Sequence, residues 1–190
     1  QKLMKQKGFD GPHLKNIRLM FCGGDDVPDA FLDEFNTYFE KWGAPGRLRQ
    51  GYGLTETNSV CTVNSNDDFR HGSIGRCLRG VDVEIWDDNH NKLPDGEIGE
   101  FAISGPTIMA GYYSDGDDQE LGIYTDENGK KWVLSGDLGY RDSDGYFYFS
   151  GRKKRLVIIS GYNVYPTDIE KVVGELPEVK ECCAVQGWEN

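Results

Sequence analysis

Residues 50 to 56, Gln-Gly-Tyr-Gly-Leu-Thr-Glu, gather an aromatic ring, two glycines, a hydroxyl and a carboxylate into seven positions. Tyr52 offers a flat face on which a base can stack. Gly51 and Gly53 allow the backbone to bend sharply and to approach a ligand closely. Thr55 can hydrogen-bond a phosphate oxygen, and Glu56 can hold a hard cation such as magnesium. Those parts suit a nucleotide. They also suit a strand followed by a glycine turn and a short helix whose start Thr55 caps. Seven residues do not separate the two readings, because short motifs match by chance.

The surrounding elements must therefore be asked what they position. Ile17 to Cys22 is a short apolar run followed at once by Gly23-Gly24-Asp25-Asp26-Val27-Pro28. Strand, glycine turn and helix start is the order of an α/β unit, whose ligands sit at the carboxyl ends of strands. Pro28 suits the first helical position, and an Asp before it suits the cap. Phe31, Phe35, Phe39 and Trp42 recur at helical spacing and mark one buried face, which Gly43 and Pro45 end. Arg47 to Gly51 is then the next strand, delivering Tyr52 and Gly53 to the crevice that Gly23 and Gly24 face.

After about Asp67 the pattern changes. Val81, Val83 and Ile85 alternate with Asp82 and Glu84, as in a half-buried strand. Further strands are expected at Gly96 to Pro106, at Trp132 to Leu134 and, after a turn at Asp142 to Gly145, at Tyr146 to Phe149. Asp115 to Lys131 reads as a surface excursion. Several short strands at this spacing form a small sheet or barrel-like subdomain. A third unit begins near residue 152. Leu156 to Ile159 reads as a buried strand, Thr167-Asp168-Ile169-Glu170 as a capping box, and Ile169, Val172, Val173 and Leu176 as one helical face. The basic run Arg152-Lys153-Lys154-Arg155 falls on the junction, where a hinge is expected.

The bulk numbers exclude several classes. The chain has 190 residues and a net charge of -11. A general binder of nucleic acid or anionic membrane carries the opposite sign, so neither is expected as a partner. No apolar run approaches the ~20 residues of a spanning helix, and the opening residues do not read as a signal peptide. The 5 cysteines, Cys22, Cys61, Cys77, Cys182 and Cys183, show no CxxC spacing, and the 3 histidines are scattered. Reduced thiols in a cytoplasmic protein are expected, with neither zinc site nor disulfide framework. The helical tail at Gln1 to Phe9 and the strand-like Cys182 to Gln186 near the end suggest a piece of a longer polypeptide.

In order along the chain stand Gly23-Gly24-Asp25, Tyr52-Gly53-Leu54-Thr55-Glu56, Gly96 to Tyr112, Ser135-Gly136-Asp137-Leu138, Gly151-Arg152-Lys153-Lys154, Gly161 and Asp168-Ile169-Glu170. Together they resemble the adenylate-forming (ANL) superfamily of acyl-CoA synthetases, peptide-synthetase adenylation domains and luciferases. The resemblance covers nearly the whole chain and implies an α/β plus β fold. Residues 1–70 would end the α/β subdomain of the large domain and 71–151 form its β-rich subdomain. Residues 152–155 would be the hinge and 156–190 the start of the small α+β domain. It implies a two-step ligation using ATP, magnesium and CoA on a small carboxylic acid, through an acyl-adenylate.

By the same resemblance Gly23, Gly24 and Asp25 lie beside the adenine, which Tyr52 and Gly53 flank. Thr55 meets the α-phosphate and Glu56 holds magnesium. Asp137 takes both ribose hydroxyls, which requires two acceptor oxygens. Ser135 stands where Thr is commoner. Phe149 lies near the nucleotide or in the β core, and Arg152 meets the ribose. Lys154 is the hinge residue, Lys153 and Arg155 are solvated charges, and Gly161 lies near the thiol channel or in a plain turn. The family's phosphate loop and C-terminal lysine are not in this sequence, so the 190 residues are expected to be inactive unaided. They are also expected to self-associate through exposed apolar surface. Two rival readings remain: an adenylation domain loading a carrier protein, and a non-catalytic nucleotide-binding or interaction module.

Overall fold

A computed structural model describes residues 5–6, 8, 11–24, 27–113 and 122–187. Asp25 and most of the expected tail at Gln1 to Phe9 lie outside them. The chain divides into two compact units. One comprises Gln1–Asp82, Gly105–Met109 and Asp144–Tyr148, and the other Val83–Ser104, Ala110–Ser143 and Phe149–Asn190.

The first unit is an α/β arrangement. Strand β1 (Met20–Cys22) pairs in parallel with β2 (Leu48–Leu54), and helix α1 (Asp29–Lys41) connects them. β3 (Ser59–Val63) and β4 (Arg76–Cys77) continue the sheet antiparallel, in the order β1-β2-β3-β4. Leu32, Phe35 and Phe39 of α1 are buried with Leu14, Ala44 and Leu48. The helix is also bonded to β2: Asn36 Oδ1 accepts the Leu48 N–H at 2.7 Å, and its Nδ2 donates to the Leu48 carbonyl at 3.3 Å.

Two expectations about α1 are corrected. Pro28 is the cap residue, not the first helical one, and no side chain caps the helix. Trp42 lies at the C-cap and is exposed, while Leu32 fills the core, because the buried stripe runs through positions 32, 35 and 39. The Asp144–Tyr148 segment is fastened by Tyr146. Arg70 and Arg76 lie over its ring, 4.2 and 4.4 Å from the centroid, and its hydroxyl donates to Asp68.

The second unit is built on a five-stranded sheet. β5 (Asp82–Trp86), β6 (Gly99–Ser104), β7 (Ile123–Thr125) and β8 (Lys131–Arg141) take the order β5-β6-β8-β7, and β9 (Phe147–Arg152) pairs with β8. The stretch Asp115 to Lys131, expected to be a surface excursion, contains β7. Trp86, Ala102 and Trp132 form a buried cluster, with the two indoles 4.9 Å apart.

Beyond β9 a hairpin, β10 (Val157–Ile159) and β11 (Tyr162–Val164), precedes helix α2 (Pro166–Gly174). The expected buried strand at Leu156 to Ile159 is corrected: it is half of a two-stranded ribbon, and Ile158 is 66% exposed. The α2 face is likewise open, with Val172 68% exposed and Ile169 also exposed, and Leu176, expected on that face, lies beyond the helix end and is exposed. The capping box does not form. Tyr165 is the cap residue, Pro166 takes the first turn, and the Thr167 hydroxyl donates to the Ser150 carbonyl instead. Cys182 to Gln186 is not a strand, since no partner strand lies beside it among the described residues.

Candidate functional site

Parallel pairing of β1 and β2 sets Cys22 opposite Gln50, so both strands deliver their next residues to one edge. A cleft of ≈ 580 Å³ opens there, lined by Phe21, Gly23, Gly24, Gly53, Thr55 and Val60 among others. Five of the singled-out residues, Gly23, Gly24, Gly51, Gly53 and Thr55, therefore share one cavity. Tyr52, between two of the lining glycines, is half-buried and is not itself among the lining residues.

The glycines have a packing reason that the sequence did not reveal. A Cβ on Gly53 would lie 2.1 Å from the Ser59 carbonyl oxygen and 2.7 Å from the Val60 Cα. One on Gly23 would lie 2.5 Å from the Gly51 carbonyl oxygen. Close approach of backbone to backbone thus demands both residues before any ligand does. A register shift brings β3 in here: Tyr52 pairs with Thr62 and Gly53 with Val60, which leaves Cys61 as the extra, fully buried residue of a bulge. Burial pushes the Cys61 thiol up, against a smaller lowering by the Thr57 hydrogen bond, so it stays protonated and unreactive.

Thr55 and Glu56 sit in a single 3-10 turn, Thr55–Thr57. Thr55 is exposed and caps nothing; Thr57 does that work. Its fully buried hydroxyl accepts the Leu54 N–H at 3.1 Å and reaches the Leu54 and Ser59 carbonyls, each at 2.9 Å. A hydroxyl two residues after Thr55, able to bond back to the chain, was the available signal. Thr57→Val is expected to destabilise the fold by about 2 kcal/mol, a melting drop of roughly 4–8 °C, with Thr57→Ser recovering most of it in a thermal melt.

The Glu56 carbonyl accepts the Met109 N–H at 2.8 Å, and Asn58 Nδ2 donates to the Thr107 carbonyl at 2.8 Å. The turn is thereby held from both sides while the Glu56 carboxylate remains half-buried. Among the described residues no group of three or more His, Cys, Asp or Glu side chains converges. Glu56 therefore fits magnesium held mainly by phosphate oxygens and water, and does not fit a dedicated protein cage.

In the second unit, the pairs Glu100–Leu138 and Ala102–Leu134 set three residues of β8, Ser135, Gly136 and Asp137, against the single Phe101 of β6. This bulge turns the Asp137 carboxylate inward, where it is 1% exposed and 2.9 Å from the Arg152 Nε. Ser135 Oγ accepts the Asp137 N–H at 3.0 Å. Gly136 adopts φ +70, and its N–H donates to Glu100 Oε1 at 2.8 Å. The carboxylate is thus buried beside a guanidinium whose side chain is 58% exposed.

Lys153 and Arg155 are not merely solvated. Lys153 Nζ lies 2.8 Å from both Asp88 and Glu100, and Arg155 bonds Glu170 at 2.5 Å. Burial alone lowers the Lys153 pKa, but its hydrogen bonds with Asp88 and Glu100 outweigh this and hold it above the ordinary lysine range. Lys154 is exposed in the 3-10 turn Lys153–Arg155. Phe149 is half-buried on β9, and Phe147 is the core residue of that strand. Gly161 (φ +85) follows Ser160 (φ 51) in the two-residue hairpin loop, whose turn needs both left-handed.

The profile of the AMP-binding enzyme family matches residues 1–113. The long-chain-fatty-acid–CoA ligase of Escherichia coli is 39% identical over 184 residues, covering 96% of this chain and 31% of that protein. The solved o-succinylbenzoate CoA synthetase of Bacillus subtilis with its acyl-adenylate intermediate aligns at TM-score 0.76 and 30% identity, over 92% of this chain and 34% of that one. The same enzyme with ATP and a magnesium ion aligns at TM-score 0.75 and 30% identity, over 90% and 34%. The chain thus spans about a third of the length of these relatives. With its motifs in family order on the matching fold, the chain belongs to the AMP-binding enzyme family, in the acyl-CoA synthetase branch of the adenylate-forming superfamily.

Proposed function

We propose that this chain contributes the nucleotide side of an ATP-dependent acid–CoA ligase. The observation that carries the reading is the buried Asp137 carboxylate, turned inward by its bulge and met by Arg152. In the first half-reaction a carboxylate oxygen attacks the α-phosphorus of ATP, and pyrophosphate leaves. In the second, the CoA sulfur attacks the acyl carbon and AMP leaves. Neither step requires a protein nucleophile, so positioning and electrostatics dominate.

Each residue then has a task. Asp137 accepts the two ribose hydroxyls, and Arg152 donates to the ribose from beside it. Thr55 donates its hydroxyl to the α-phosphate. Glu56 holds magnesium, which neutralises phosphate charge when bound. Tyr52 stacks on the adenine, with Gly23, Gly24 and Gly53 as backbone beside it. Phe21, Leu54 and Val60 give the cleft an apolar wall, which suits an apolar acyl group. Residues 1–70 and 71–151 serve as two subdomains of the large domain, 152–155 with Lys154 as the hinge, and 156–190 as the beginning of the small domain with Gly161 toward the thiol.

Calorimetry on the 190-residue chain tests this reading. AMP is expected to bind with a Kd below about 1 mM, corresponding to ~4 kcal/mol. An acyl-adenylate analogue with a medium alkyl chain is expected to bind at least tenfold more tightly, by filling the cleft. Absence of heat with both ligands would sink the proposal. Acid-dependent ATP–pyrophosphate exchange is expected to be absent, and measurable exchange would show that these residues suffice for the first step.

A further inference from the structure

Glu100 is one carboxylate shared between two segments. Its Oε1 accepts the Gly136 N–H at 2.8 Å, and its Oε2 lies 2.8 Å from Lys153 Nζ. The side chain is 12% exposed, so a charge there is costly unless both oxygens are satisfied. Gly136 precedes Asp137, and Lys153 follows Arg152. The contacts therefore close a ring from Gly136 through Asp137, Arg152, Lys153 and Glu100 back to Gly136. Asp88 also meets Lys153, but from a side chain 85% exposed, where solvent screens the pair. Glu100 is thus the contact that matters for Lys153. Neither Glu100 nor Lys153 was assigned a role by the motifs.

We propose that Glu100 is a positioning residue that ties the Asp137 bulge to the Arg152–Lys153 junction, so that a ribose held at Asp137 and Arg152 stiffens the basic segment through residue 155. The coupling rests on the nucleotide reading above; the tie between bulge and junction does not. A conventional surface ion pair would stabilise the fold without transmitting occupancy from one segment to the other. The ring geometry predicts transmission, because Lys153 is fixed from two sides, by its chain link to Arg152 and by Glu100 on the Gly136 N–H, and without Glu100 only the chain link remains.

Trypsin reads the junction directly, since Arg152 to Arg155 offers four cleavage sites. Cleavage rates there are measured by mass spectrometry with and without saturating AMP, alongside AMP affinity by calorimetry. In the unmodified chain AMP is expected to slow cleavage at least about fivefold. Glu100→Gln keeps an acceptor for Gly136 but loses the charge facing Lys153. It is expected to be cleaved about tenfold faster without AMP and to lose AMP protection, with its Kd within about threefold of the original.

Lys153→Met leaves Glu100 on Gly136 and is expected to free the remaining sites equally; it serves if Glu100→Gln melts early. Asp88→Asn is expected to behave as the unmodified chain does. Cleavage of both Glu100→Gln and Lys153→Met at the original rate overturns the tie. Intact AMP protection in Glu100→Gln overturns the coupling. Failure of the unmodified chain to bind AMP overturns the nucleotide reading and the coupling together, while faster cleavage of the variants would still establish the tie.

Discussion

Asp137→Asn is expected to weaken AMP binding by about thirtyfold while moving the melting temperature by no more than about 3 °C. The two effects separate for a physical reason. Asp137 is buried, but the guanidinium it pairs with, that of Arg152, is largely open to water. Releasing a solvated guanidinium costs about 1 kcal/mol or less. The ligand loses more. Two ribose hydroxyls need two acceptors on one group, and an amide offers one acceptor and a donor pointing the wrong way. Calorimetry gives the affinity and a thermal melt gives the stability. An unchanged Kd would remove Asp137 from the site. A large melting drop with an unchanged Kd would make it a structural residue of the β8 bulge.

Gly53→Ala is expected to cost about 3 kcal/mol, lowering the melting temperature by roughly 6–12 °C. The added methyl would sit 2.1 Å from the Ser59 carbonyl oxygen and 2.7 Å from the Val60 Cα, both backbone atoms. A flexible side chain could swing aside, but a paired strand cannot. Gly24→Ala is the contrast. Its Cβ meets nothing within 4 Å, and only its φ of +89 opposes the change. That substitution is expected to cost about 1 kcal/mol. Denaturant melts of the two variants measure the difference directly. Equal stability would mean that β2 and β3 part easily at the bulge, and would remove the packing reason for glycine at position 53.

Much of the arrangement is legible in the sequence. The strand, glycine turn and helix at Ile17 to Lys41 came from a local hydrophobic run, two glycines and helical spacing, and the structure places β1 and α1 there. The alternation at Val81, Val83 and Ile85 marked β5. These signals are local, set by residues that touch the same element. The misreadings share the opposite character. Leu156 to Ile159 is apolar throughout, yet whether an apolar strand is buried depends on what lies against it. Thr167 fits a capping box by spacing, but the Ser150 carbonyl, 17 residues away, takes its proton.

Within the candidate site the same division holds. Residues 50 to 56 declared by type alone that a ring, a hydroxyl and a carboxylate stand together, and with the later motifs they identified the family. What they did not contain was why Gly53 must be glycine, which lies in the carbonyl of Ser59 across the sheet. They also gave no sign that the buried hydroxyl of Thr57, and not Thr55, shapes the turn. Nor did the run Arg152 to Arg155 disclose that Lys153 meets Glu100 while Arg152 meets Asp137. Side-chain chemistry and local periodicity are properties of the chain and can be read from it. Burial, close approach and the sharing of one carboxylate between two segments arise only when distant residues are brought together, and tertiary structure decided those.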